Sequence, residues 1–207
     1  EKSEALELFK RGYKLKPDFV IFLINLAILY QEICLYDESY EYILKVIKIQ
    51  PDHPKIYFIL GNHYKVLKKY DEALISFKKC LTVSPNMIDC INNIGVIYQD
   101  KKNFLEAIKF YNLALSIDDK YLFSKAGLIY CQMHLNDWTN FQKFLNWLPF
   151  LGLYKAPIEP LIFMSLDNSA QRNLSRGSFF YDKKFRSNRD EFSFIFKNKK
   201  IRIGYFS

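Results

Sequence analysis

Three histidines (His53, His63, His134) and four cysteines (Cys34, Cys80, Cys90, Cys131) carry the side chains of this sequence best suited to metal binding or nucleophilic attack. A metal site needs several ligands that converge, usually announced by recurring short pairs. No CxxC pair occurs, and no two pairs recur to make a ligand set. The histidines therefore read as packing or surface residues. The cysteines read as reduced thiols of a cytoplasmic protein, with Cys80 at a small core position. No GxGxxG, phosphate-binding GxxxxGK or GxSxG motif is present, and the carboxylates are scattered without a catalytic pairing. The sequence thus predicts neither a resident cofactor nor a metal.

Charge is the second candidate for chemistry. The net charge is +8, and residues 172–202 carry ten basic side chains against three acidic ones, so the rest of the chain holds only +1. Phe179, Phe180, Tyr181 and Phe185 are interleaved with these charges. Such a segment could hold nucleic acid through phosphate contacts that weaken with salt. A solvated basic linker helix explains it more simply, and nucleic acid is set aside as a partner. The longest apolar run, Val20–Tyr30, is too short for a bilayer, which takes about 20 residues. No membrane association is expected.

The elements that carry these residues follow a ruler of 34. Tyr36-Asp37-Glu38-Ser39, Tyr70-Asp71-Glu72-Ala73 and Phe104-Leu105-Glu106-Ala107 are spaced by that step, with a worn copy at Trp138-Thr139-Asn140-Phe141. Pro17, Pro51 and Pro85 keep it too, and Asp119 stands at the next mark. Leu26, Leu60 and Ile94 share one register, followed by Ala27, Gly61 and Gly95, then Tyr30, Tyr64 and Tyr98. Apolar residues fall at i, i+3, i+4 and i+7, which predicts helices. A period of this length predicts stacked helix pairs. Small residues at Gly61 and Ala73 let the paired helices approach, Leu60, Tyr64 and Phe77 fill the space between them, and the prolines end the second helix.

These residues resemble tetratricopeptide repeats over residues 1–148. The expected order is a half repeat at 1–19, full repeats at 20–53, 54–87 and 88–121, and a divergent capping repeat at 122–148. The half repeat predicts at least one more helix upstream. The resemblance implies an all-α superhelix of antiparallel helix hairpins whose first helices line a concave groove for a protein or extended peptide. A proline-containing linker and basic helix are expected over 149–200, the helix running from Asn168 to about Phe185 behind a cap at Asp167. A short apolar-aromatic run follows at Phe192–Phe196. Ile201, Ile203 and Tyr205 alternate with Arg202 and Gly204, which predicts a truncated β-strand at 201–207, the first strand of a missing α/β domain.

This order of parts, ending in Lys200-Ile201-Arg202-Ile203-Gly204-Tyr205-Phe206-Ser207, resembles the O-GlcNAc transferase-like glycosyltransferases of bacterial type. The resemblance implies UDP-GlcNAc as donor and Ser or Thr hydroxyls as acceptors, with every catalytic residue beyond Ser207 and this segment non-catalytic. It also implies an asparagine ladder along the groove, whose register here is Asn25 and Asn93, interrupted by Ile59. An amide donates and accepts at once, so it can hold any peptide unit. Asn62 and Asn92 lie nearby on the same helices. Lys55, Phe58, Lys65, Gln99 and Tyr130 complete the groove candidates from helix register. The alternative is a stand-alone scaffold that assembles a protein complex.

Overall fold

The structure, a computed structural model, describes residues 2–152 and 169–185. Among them are ten helices and no strand. In chain order these are α1 (Lys2–Leu15), α2 (Val20–Glu32), α3 (Tyr36–Ile49), α4 (Pro54–Val66), α5 (Tyr70–Val83), α6 (Ile88–Asp100), α7 (Phe104–Ile117), α8 (Leu122–His134), α9 (Phe141–Trp147) and α10 (Ala170–Phe185). The strand expected at 201–207, the run Phe192–Phe196 and Asp167 lie outside the described residues. The contacts divide the chain into two compact units, Glu1–Asp137 and Trp138–Ser207.

In the first unit the helices pair as α2 with α3, α4 with α5, and α6 with α7, and each pair packs on the next. Two turn types alternate. The turn inside each pair places Cys34, Lys68 and Lys102 at φ of 62°, 58° and 59°, and Asn136, after α8, has a φ of 53°. The amide after each of these donates back to a carbonyl five residues earlier: Leu35 to Tyr30, Lys69 to Tyr64, Asn103 to Tyr98 and Asp137 to Gln132, at 2.8–2.9 Å. The left-handed residue itself donates three residues back, as Cys34 does to Gln31 and Lys68 to Lys65. This is the Schellman ending, which satisfies the last carbonyls of a helix and reverses the chain.

The turn between pairs is different. Phe19, His53, Met87 and Tyr121 each donate to the carbonyl three residues back, at 3.1–3.3 Å. Pro17, Pro51 and Pro85 sit second in these turns, where a φ fixed near −65° is already correct. In the fourth turn Asp119 replaces proline, and Asp118 Oδ1 accepts from the Lys120 amide at 2.9 Å. A side-chain turn thus takes over from the ring.

The core explains the glycine register. Phe77 on α5 lies against Gly61 on α4, and a Cβ on Gly61 would stand 2.5 Å from Phe77 Cε1. Tyr111 on α7 occupies the same relation to Gly95 on α6 and also meets Gly127 on α8. Phe77 is fully buried and Tyr111 is 1 % exposed, so neither ring has room to yield.

The second unit holds α9 and α10. Phe144, Leu148 and Leu151 are buried. The helix expected from Asn168 begins at Ala170, and Ser169 Oγ accepts from the Arg172 amide at 3.3 Å, so the cap at this start is Ser169. The reading of this helix as wholly solvated is corrected at one position. Arg176 is fully buried, with Nε donating to the Leu151 carbonyl at 2.9 Å, Nη1 to Asn173 Oδ1 at 2.9 Å, and Nη2 to the Leu148 carbonyl. A guanidinium presents five donors in one plane, so it can bind several carbonyls at the end of α9 at once.

Candidate functional site: the face of the first helices

The first helices of successive pairs touch one another directly, α2 with α4, α4 with α6, and α6 with α8. Second helices make fewer contacts with each other among the described residues. Close spacing on one side and wide spacing on the other bends such a stack toward the first helices. Their shared face is therefore the inner one, and side chains from neighbouring repeats converge on it.

One polar cluster forms there. Asn93 Nδ2 on α6 donates to Asn62 Oδ1 on α4 at 2.9 Å. Lys65 Nζ donates to Asn93 Oδ1 at 2.8 Å. All three are half-buried. Burial holds the Lys65 amine below the usual lysine range, and the Asp100 carboxylate partly offsets that. Burial likewise raises Asp100, opposed by Lys65 and by the Tyr70 hydroxyl, which donates to Asp100 Oδ2 at 3.5 Å. The cluster retains donors: one N–H of Asn93, both of Asn62, and two of the Lys65 ammonium are not used in these bonds. A peptide carbonyl or a carboxylate suits them.

The other sequence candidates separate into different roles. Asn92 is 7 % exposed and accepts from Ser124 Oγ of α8 at 2.9 Å, so it fastens α6 to α8. Gln99 Oε1 accepts from the Tyr111 hydroxyl at 2.7 Å and thereby positions the ring that fills the α6–α8 core. Phe58 packs toward the neighbouring core of α4 and α5, its ring 6.1 Å from Phe77. Tyr130 lies 4.1 Å from the His134 ring and 6.2 Å from Phe104. Lys55 is exposed on α4, and Asn25 is half-buried on α2. The structure brings together Asn62, Lys65 and Asn93 but does not join Asn25 to them.

One participant escaped the sequence reading. Gln31 Nε2 on α2 donates to the Ile59 carbonyl on α4 at 3.0 Å. Gln31, Lys65 and Gln99 are spaced by 34, so the register that flagged the last two also contained the first.

His134 is exposed, its Nδ1 2.9 Å from the Tyr130 carbonyl, while the other two histidines are at least half-buried. His63 is 4 % exposed, stacked on Tyr40 at 5.1 Å, and its Nδ1 has no hydrogen-bond partner. Nδ1 of His53 is also unpartnered. Among the described residues no three His, Cys, Asp or Glu side chains are placed to hold a metal ion. No described helix is long and apolar enough to cross a membrane. A recess of about 210 Å³ lies between α4 and α5, lined by Tyr57, Leu60, Tyr64, Glu72, Ile75, Ser76 and Lys79, and shares none of the clustered amides.

Comparison with known proteins follows the same geometry. Residues 22–53 and 88–121 match one tetratricopeptide repeat model, and residues 54–87 match a second. Among solved structures, pilF of Pseudomonas aeruginosa superposes with a TM-score of 0.69 at 12% identity, covering 93% of this chain and 88% of that one. A thermophilic tetratricopeptide repeat protein of Thermus thermophilus gives 0.62 at 17%, covering 86% and 90%. MamA of Desulfovibrio magneticus gives 0.61 at 17%, covering 70% and 82%. These superpositions show a shared fold. A comparison with curated proteins gave no match.

Proposed function

We propose, from the premise that residues 22–121 of this chain are tetratricopeptide repeats, that the inner face of the first helices binds an extended segment of another protein. The observation that carries this reading is the Asn62–Asn93–Lys65 cluster. Three flexible polar side chains from two repeats are already held together by hydrogen bonds, so little of their freedom remains to be lost on binding. Amides read peptide backbone with little regard to sequence, and Lys65 adds a preference for acidic segments. The test is an array of unfolded peptides graded in charge, probed with the chain. Retention of acidic, extended peptides over basic ones supports the reading; retention without regard to charge contradicts the role given to Lys65.

A narrower reading makes this the acceptor-recognition arm of an O-GlcNAc transferase-like enzyme acting on Ser or Thr. Its support is the order of parts in the sequence and the residues Lys200–Ser207. Its test is transfer of GlcNAc from UDP-GlcNAc to a retained peptide by the protein purified from its source cells. Absence of transfer would leave the scaffold reading.

A further inference from the structure

Two thiols in the repeat core meet across the junction between successive repeats. Cys80 lies in the last turn of α5 and Cys90 in the first turn of α6, both fully buried. The Cys90 thiol donates to Cys80 Sγ at 2.9 Å, and the Cys80 thiol donates to Met87 Sδ at 3.2 Å. No side chain stands between the two sulfurs. Both sit on helix ends joined by the turn Ser84–Met87, so a small movement of that turn brings them to the roughly 2.05 Å of a covalent bond. Cys34, by contrast, is exposed on a turn of its own, and Cys131 is buried on α8.

We propose that Cys80 and Cys90 form a reversible intramolecular disulfide when the chain meets a small peroxide, stapling repeat 54–87 to repeat 88–121. The hydrogen bond from Cys90 favours the Cys80 thiolate and holds Cys90 as thiol. Cys80 is therefore the first nucleophile. Its sulfur attacks one oxygen of hydrogen peroxide, the O–O bond breaks, and the departing hydroxide takes up the proton lost from the Cys80 thiol as water, giving a Cys80 sulfenic acid. The Cys90 sulfur then attacks Cys80 sulfur, the S–O bond breaks, and the Cys90 proton leaves with the second hydroxide as water. Two thiols are oxidised by two electrons, and one peroxide is reduced to two waters. The staple bears on the inner face because α6 carries both Cys90 and Asn93.

The test uses the folded chain with Cys34→Ser, which removes the exposed thiol. Cys80 and Cys90 fall in one tryptic peptide, residues 80–101, because no lysine or arginine separates them. After peroxide treatment, denaturation and alkylation, the peptide is expected mainly unalkylated and two hydrogens lighter, with full alkylation restored by dithiothreitol. Cys90→Ser should instead leave a Cys80 sulfenic acid that dimedone traps. Alkylation of both cysteines to the level of untreated chain would overturn the proposal. So would a disulfide from either one to Cys131.

Discussion

Asn93 on α6 donates to Asn62 on α4 at 2.9 Å, and the two residues belong to neighbouring repeats. They do not share a register. Asn93 stands where Asn25 and Ile59 stand in the other units, while Asn62 shares its register with Ile28, Val96 and Tyr130. The bond therefore arises from the stacking of one helix pair on the next and is not repeated along the array. Within the interrupted register Asn25, Ile59 and Asn93, Asn93 forms one cluster with Asn62, with Lys65 at its edge.

His63 should make the fold acid-sensitive. Burial lowers its pKa from 6.5, the Asp37 carboxylate opposes that, and Lys69 adds slightly to it. The unfolded chain then binds the proton first as pH falls below about 6.5. Stability is present above that value and is lost as pH drops through the folded-state pKa. The equivalent positions in other repeats hold Leu29, Ile97 and Cys131. His63→Ile should flatten the fall in melting temperature between about pH 7.5 and 5, a window set by the histidine range. An equally steep fall in the variant would assign the acid sensitivity elsewhere.

Gly61→Leu should cost about 1–3 kcal/mol, because the added carbons meet the immobile Phe77 ring. Gly177 on α10 is the control, since a Cβ there meets nothing within 4 Å. Gly177→Ala should stabilise its helix by roughly 0.5–1 kcal/mol. Urea unfolding followed by circular dichroism measures both. A neutral Gly61→Leu would mean that the helix pair tolerates a wider spacing than the structure has.

Arg176→Ala should release α10. The buried Leu148 and Leu151 carbonyls lose their donors, at a cost of about 2–6 kcal/mol for two unpaired groups. Lysine, a single point donor, should rescue only part. Hydrogen exchange reports this locally: amides of α10 should exchange quickly in the variant while those of α4 to α7 keep their protection. Unchanged protection of α10 would make the guanidinium incidental.

Much of the first unit was readable because its signals repeat. Phe77 and Tyr111 need Gly61 and Gly95 opposite them, and Pro17, Pro51 and Pro85 need one kind of turn, so periodic residues and structure agree. What the sequence hid were single events. The left-handed turn positions are filled by Cys34, Lys68, Lys102 and Asn136, and only the last is a residue type that favours that conformation. Arg176 is one arginine among many in a basic segment, and composition cannot say which of them turns inward. Asn92 and Asn93 are adjacent in sequence, yet a helix sends them to different partners, Ser124 for one and Asn62 for the other.

The central claim is that the Asn62–Asn93 pair holds peptide backbone. The most direct measurement is the affinity of one retained acidic peptide for the wild-type chain and for Asn62→Ala/Asn93→Ala, with helicity recorded on the same samples. Loss of about tenfold in affinity or more, equivalent to about 1.4 kcal/mol, at unchanged helicity is the predicted result. Equal affinity in a fully helical double variant would contradict it.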